Sequence, residues 1–184
     1  MDESQLLARA RQNDPDALGE IYDAYSPRLY AYACRMLGDA QTSEECVGDT
    51  FYRFLHSLRS GMGPNTHLKA YLYRTAHNWV TDYYRRQPAG ISALSEDLAA
   101  EQTAPETMAG QAIEQERVRA ALLSLTPDQR QVILLKFYEG WENEMIADAL
   151  HKPLGAVKSL QHRALGALRR RLHPDEEILY EPID

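Results

Sequence analysis

The chain predicts an all-α protein made of two small helical domains joined by a flexible linker. Three observations carry that prediction. Apolar residues recur at intervals of three and four in both halves, and no stretch alternates apolar and polar residues for long enough to make a strand. A non-periodic segment rich in Ala, Ser, Glu, Thr, Gly and Pro separates the halves. At 184 residues the chain is long enough to bury one large core or two small ones, and no internal repeat relates its halves.

The first helix covers residues 2–11 through Leu6, Leu7 and Ala10. Asn13-Asp14-Pro15 stops and restarts it: Asp14 can accept a hydrogen bond from the next first turn, and Pro15 takes the first helical position, where a missing N–H costs nothing. Leu18, Ile21, Tyr22, Tyr25, Leu29, Tyr32, Ala33 and Met36 define a long amphipathic helix ending at Gly38, with Pro27 able to kink it. Thr42 or Ser43, followed by Glu45, opens the next helix. Its face of Cys46, Val47, Thr50, Phe54, Leu55 and Leu58 runs to the breaker Gly61-Met62-Gly63-Pro64. From about residue 66 to 86 a further helix places Leu68, Tyr71, Leu72, Thr75, Ala76, Trp79, Val80 and Tyr83 on its apolar side. Residues 1–87 make the first domain and 88–111 the acidic linker.

Helical pattern resumes near Ala112 and runs through Val118, Leu122 and Leu125 to a restart at Thr126-Pro127. Val132, Ile133, Leu135 and Phe137 then give the apolar side of a helix over 128–138. Residues 142–150 form a short helix on Ile146, Ala147 and Leu150. His151-Lys152-Pro153 makes a tight connection, and 154–172 form a longer helix. Its stripe is Leu154, Val157, Leu160 or Gln161, Ala164, Leu165, Leu168 and Leu172; Lys158, His162, Arg163, Arg169, Arg170 and Arg171 lie off it. Short helix, tight turn and basic helix together are a helix-turn-helix signature, which closes the second domain, 112–173. Residues 174–184 are an acidic tail.

The net charge of −7 hides a segmental pattern. Residues 61–86 hold Lys69, Arg74, Arg85 and Arg86 against Asp82, and 119–173 hold nine bases against five acids, while the segments around them are acidic. Two separated basic islands suit a protein that grips a polyanion at two places without coating it indiscriminately. In the first island the aromatic, amide and basic side chains are interleaved. Tyr73 and Tyr83 offer stacking surfaces for unpaired bases, and Arg85 and Arg86 offer phosphate contacts, a mixture suited to single-stranded nucleic acid. Trp79, Tyr71 and Leu72 lie on the stripe and read as core.

Enzyme chemistry has little support. No GxSxG, HExxH, P-loop or Gly-rich dinucleotide turn occurs, and the six histidines are dispersed. No catalytic residue, metal ligand or cofactor is expected. Cys34 and Cys46, the only cysteines, have no metal-site spacing and read as small buried or half-buried thiols. The lack of a long apolar run predicts no membrane insertion and a cytoplasmic protein.

Two sets of residues resemble one family. LTPDQRQVILLKFYEGWENEMIADALHKPLGAVKSLQHRALGALRRRL is similar to region four of bacterial extracytoplasmic-function (group IV) RNA polymerase sigma factors, with their Leu-x-Pro-x-x-Arg pattern and Gly-x-Val-Lys-Ser recognition helix. DAYSPRLYAYACRML, SEECVGDTFYRFLHSLRS and LKAYLYRTAHNWVTDYYRR are similar to region two, in the expected order. The resemblance implies a region-two-like and a region-four-like domain. It implies a sigma factor that directs RNA polymerase to promoters and assists melting, with no enzymatic activity of its own. Partners would be core polymerase, through its beta-prime clamp and beta flap, promoter DNA, and an anti-sigma factor.

By the same resemblance, Asp49, Arg53, Phe54 and Leu55 would contact the clamp. Asn65, His67, Tyr73, Arg74, Asn78 and Arg85, with Arg86 on phosphate, would read the melted minus-ten strand. Lys158, Ser159, His162 and Arg163 would read the minus-thirty-five element, while Arg169, Arg170 and Arg171 hold the backbone. The sequence departs from the family at three places. Gly48 precedes Asp49 where Gln is common; Leu160 and Gln161 stand where Arg and an apolar residue are usual, so Gln161 is free to turn outward to a base; and Met145 takes the usual Glu position of the helix-turn-helix, with Glu144 beside it. Two other readings fit the residues alone: a free-standing helix-turn-helix repressor, and an interaction protein working through its acidic tail.

Overall fold

The computed structural model describes residues 3–86 and 106–173, so most of the expected linker and all of the acidic tail lie outside the described residues. Eight α-helices fill the described segments: α1 (Glu3–Arg11), α2 (Pro15–Leu37), α3 (Ala40–Arg59), α4 (Leu68–Arg86), α5 (Glu106–Leu123), α6 (Pro127–Ile133), α7 (Asn143–Leu150) and α8 (Leu154–Leu172), with a π-helical turn, Leu134–Tyr138, continuing α6.

Local chemistry sets most of the boundaries. Asp14 caps α2 by accepting the Asp16 and Ala17 N–H groups, Pro15 follows it, and Gly38 ends the helix at φ 78°, where a residue with a Cβ is strained. Thr126 and Gln129 form a reciprocal capping box at the start of α6. The expected start of α3 at Thr42 or Ser43 is corrected to Ala40. Asp39 is the cap, its carboxylate accepting the Thr42 N–H at 2.6 Å. α5 begins at Glu106, six residues before the expected Ala112, inside what the sequence assigned to the linker.

α1 to α4 pack around Leu7, Ile21, Leu29, Met36, Phe54 and Leu72, all essentially inaccessible. α5 to α8 pack around Val132, Leu135, Ile146, Val157 and Ala164. Phe137, expected in that core, is 60% exposed. The π turn explains it: the Glu139 N–H reaches the Leu134 carbonyl five residues back, which rotates the helical register and brings Leu134 inside in place of Phe137. Leu165, expected on the α8 stripe, is 46% exposed for the simpler reason that Ala164 and Leu168 already face the core.

The two helical units pack against each other. The buried Arg130 guanidinium donates to the Leu122, Leu123 and Leu125 carbonyls at the end of α5, and also to the Met36 carbonyl of α2 and the Tyr84 hydroxyl of α4. Arg119 donates to the Gly38 carbonyl at 2.8 Å. No described helix is long and apolar enough to cross a membrane.

Candidate nucleic-acid interface

α7, the turn at 151–153 and α8 form the expected helix-turn-helix. His151 closes α7 in the left-handed region at φ 51°, and Pro153 provides the extended residue before α8. Val157 and Ala164 anchor α8, and the opposite side is open: Lys158, Ser159, His162, Arg163, Arg169, Arg170 and Arg171 are all exposed. The first four occupy the N-terminal half, the part of such a helix that reaches base edges, and the arginine run follows in the last turn. Gln161 is corrected. It is half-buried and donates to the Asn143 side chain at 2.7 Å, tying α8 to the start of α7 instead of pointing outward. The Arg117 guanidinium donates to the Leu172 carbonyl, closing the C-terminus of α8.

The first basic island is positioned from a distance. Arg11 of α1 donates to the Gly63 and Pro64 carbonyls, both at 3.0 Å. Glu3 accepts the Leu68 N–H at 3.1 Å, capping α4 from another helix, while its second oxygen holds the Tyr25 hydroxyl. α1 thereby fixes the loop before α4 and presents Asn65 and His67 to solvent, with His67 at φ 56°. Asn78, Arg85 and Arg86 are exposed on α4, Arg85 next to Asp82. Trp79 and Tyr83 are half-buried and stack with an interplanar angle of 9°.

Tyr73, expected as a stacking surface, lies in the core with no exposed area. Its ring is edge-on to Tyr32 at 5.2 Å and tilted against Trp141 of the second unit at 5.4 Å. The apolar stripe of α4 was read through Tyr71 and Trp79, which are only half-buried; a second packing partner makes Tyr73 and His77 part of the buried face. Arg74 donates to the ring of His151. His77 meets the Asp128 carboxylate at 3.4 Å, and Lys152 bonds the same carboxylate at 2.9 Å. The hydrogen bond from His77, reinforced by the Lys152 ammonium, holds the Asp128 carboxyl well below the usual carboxylate range. Lys69 pairs with Glu139 at 3.3 Å and lies over the Trp141 ring at 5.1 Å.

On α3, Asp49 and Arg53 form an i,i+4 ion pair on the surface, and Leu55 is half-exposed. Phe54, expected in the same set, is 1% exposed and belongs to the core. Tyr52, at 68% exposure, presents the aromatic surface of that face; an aromatic residue off the apolar stripe was the available sequence signal. Trp141, Glu139 and Asp128 carried no such signal, because their partners come from the other domain. A groove of about 510 Å³ runs between the two units, bordered by Met62, His67, Tyr71, Trp141 and Met145.

Two family models match the chain. The model for Sigma-70 region 2 matches residues 21–89, and that for Sigma-70, region 4 matches residues 115–168. The sequence is 30% identical to the ECF RNA polymerase sigma factor SigL of Mycobacterium tuberculosis over 154 residues, 83% of this chain and 86% of that protein. It is 29% identical to ECF RNA polymerase sigma factor BldN of Streptomyces coelicolor over 175 residues, 94% of this chain but only 66% of the relative's length. The fold is similar to that of CnrH, solved in complex with the cytosolic domain of CnrY (TM-score 0.72, 23% identity, covering 95% of this chain and 99% of that one). It is also similar to RpoE of Bartonella quintana, solved with the anti-sigma factor NepR (TM-score 0.64, 23% identity, 86% and 98% covered).

Proposed function

The chain belongs to the extracytoplasmic-function family of sigma factors, which direct RNA polymerase to promoters, and on that premise we propose how its residues divide the work. α8 enters the major groove at the minus-thirty-five element. Lys158, Ser159, His162 and Arg163 read base edges, and Arg169, Arg170 and Arg171 bind phosphates. The loop before α4, with Asn65 and His67, and α4 itself, with Asn78, Arg85 and Arg86 on its outer side and Arg74 beside His151, take the melted minus-ten strand. Arg53, Asp49, Leu55 and the exposed Tyr52 form the clamp-binding face of α3. The protein performs no covalent chemistry and acts in the cytoplasm, where polymerase and promoters are; an anti-sigma factor, as in the RpoE complex, is its regulator.

The observation that carries this reading is the open basic side of α8 behind an intact helix-turn-helix. Sequencing of transcript 5′ ends made by core polymerase with the purified chain tests it. Starts should share two upstream elements, and Lys158→Ala should relax preference at the distal one. A chain that neither joins core polymerase nor yields defined starts is no sigma factor, and tight operator binding by the isolated chain would indicate a repressor instead.

A further inference from the structure

The loop that carries Asn65 and His67 is held only sparsely by its own backbone. Among the described residues, the Gly61 and Met62 N–H groups bond back to the Leu58 and Ser57 carbonyls of α3, and no further backbone–backbone bond follows until the Tyr71 N–H reaches the His67 carbonyl. His67 stands at φ 56°, a left-handed conformation that a residue with a Cβ keeps where its surroundings impose it. That conformation also denies His67 the extended backbone of a helix cap, and α4 has no acidic residue in its first turn. The loop and the start of α4 must take their hold from elsewhere.

α1 supplies it, from 52 to 65 residues away in the chain. Arg11 Nη1 donates to the Gly63 and Pro64 carbonyls, and Glu3 Oε1 accepts the Leu68 N–H, so two residues of α1 bracket the segment 63–68 from its two ends. Glu3 is set in turn by the Tyr25 hydroxyl, 2.7 Å from its other oxygen, and α1 is anchored by Leu6, Leu7 and Ala10 in the core. Inside the bracket Asn65, Thr66 and His67 are exposed, whereas Glu3 and Arg11 are half-buried. Their bonds to backbone groups make Glu3 and Arg11 supports of the loop and not readers of bases.

We propose that α1 is the positioning element of the minus-ten reader: Glu3 and Arg11 fix residues 63–68 in the conformation that turns Asn65 and His67 outward, and so set the affinity and base preference for a strand they do not touch. The proposal rests on Asn65 and His67 being strand readers, so the loop is first followed without DNA. In the full chain, Arg11→Ala and Glu3→Leu should speed amide hydrogen exchange between residues 65 and 68 and leave the amides of α3 at the parent rate. Glu3→Gln keeps an oxygen for the Leu68 N–H and should keep the parent rates throughout. Unchanged exchange at Leu68 in both Arg11→Ala and Glu3→Leu overturns the proposal.

Binding of a labelled single-stranded oligonucleotide, carrying the minus-ten element of a mapped start, to the holoenzyme gives the functional half. If the competent loop falls to about a tenth of the population in Arg11→Ala, the apparent affinity falls about tenfold, and discrimination at the base read by the loop falls with it. The loss should vanish in a chain that already lacks the readers: Arg11→Ala added to Asn65→Ala and His67→Ala should change nothing more, because a support has no effect once the groups it positions are gone. A substitution that merely destabilises the domain would weaken binding in both backgrounds and lower affinity for core polymerase as well. Equal losses in both backgrounds, or full affinity of Arg11→Ala, overturns the proposal. If the chain lacking Asn65 and His67 side chains binds the oligonucleotide as tightly as the parent, the strand-reading role of the loop falls instead, and with it any effect on promoters, while the exchange rates still decide whether α1 holds the loop.

Discussion

Arg130 shows what one residue can hold together. It is a buried cation with no carboxylate among its hydrogen-bond partners; carbonyls at the C-terminal ends of α2 and α5 receive it, where helix dipoles favour positive charge. Arg130→Ala would strand these acceptors and should cost about 3 kcal/mol, measured as a lower urea midpoint of the full chain. Cys46 is a quieter case: burial pushes its thiol up to about 12, while Cys34 remains partly exposed. A thiol reagent at pH 8 should modify one cysteine in the native chain and both in denaturant. Because the folded value is raised, the associated stability is fully present below about pH 9 and is lost as pH rises toward 12, which alkaline thermal melts can follow. The caps at Asp14 and Thr126 were legible because donor and acceptor lie within three residues of each other. Arg130 was legible only as part of a pattern, since its acceptors come from helices far away in sequence.

At the scale of elements, helix order and the helix-turn-helix followed from periodicity, and α8 runs over the residues the sequence assigned to it. The misreading on α4 has a single cause. Periodicity locates an apolar side but not the number of partners that side meets, so Tyr73 looks available in the sequence and is buried once the second unit packs on α4. The π turn misled differently, because a 3.6-residue repeat carries no warning of a five-residue hydrogen bond. α3 offers a test of propensity free of packing. Gly48 is exposed in mid-helix, and a Cβ built there meets nothing within 4 Å. Gly48→Ala should therefore stabilise the chain by up to about 1 kcal/mol through the unfolded state, seen as a rise of a few degrees in Tm. An unchanged or lower Tm would mean that α3 is strained in a way the open surroundings of Gly48 do not reveal.

For the whole molecule, charge placement matters more than total charge. A chain at −7 should bind DNA poorly on its own, yet the exposed side of α8 gathers Lys158, Arg163, Arg169, Arg170 and Arg171. On the proposed roles, polymerase resolves the conflict by raising the local concentration of both readers at the promoter. This separates two kinds of contact that a single affinity cannot distinguish. Each phosphate neutralised by a cation contributes about −0.9 to the slope of log K against log salt concentration, because a condensed counterion is released, whatever the neighbouring base. Arg170→Ala in the holoenzyme should make that slope shallower by about 0.9 and weaken matched and mismatched promoters equally. Arg163→Ala should instead lose about 1–3 kcal/mol of discrimination at one base pair. Anisotropy titrations of labelled promoters at several salt concentrations give both numbers. If Arg170→Ala changed sequence preference and left the slope unaltered, the division of α8 into a base-reading half and a backbone-binding end would have to be reversed.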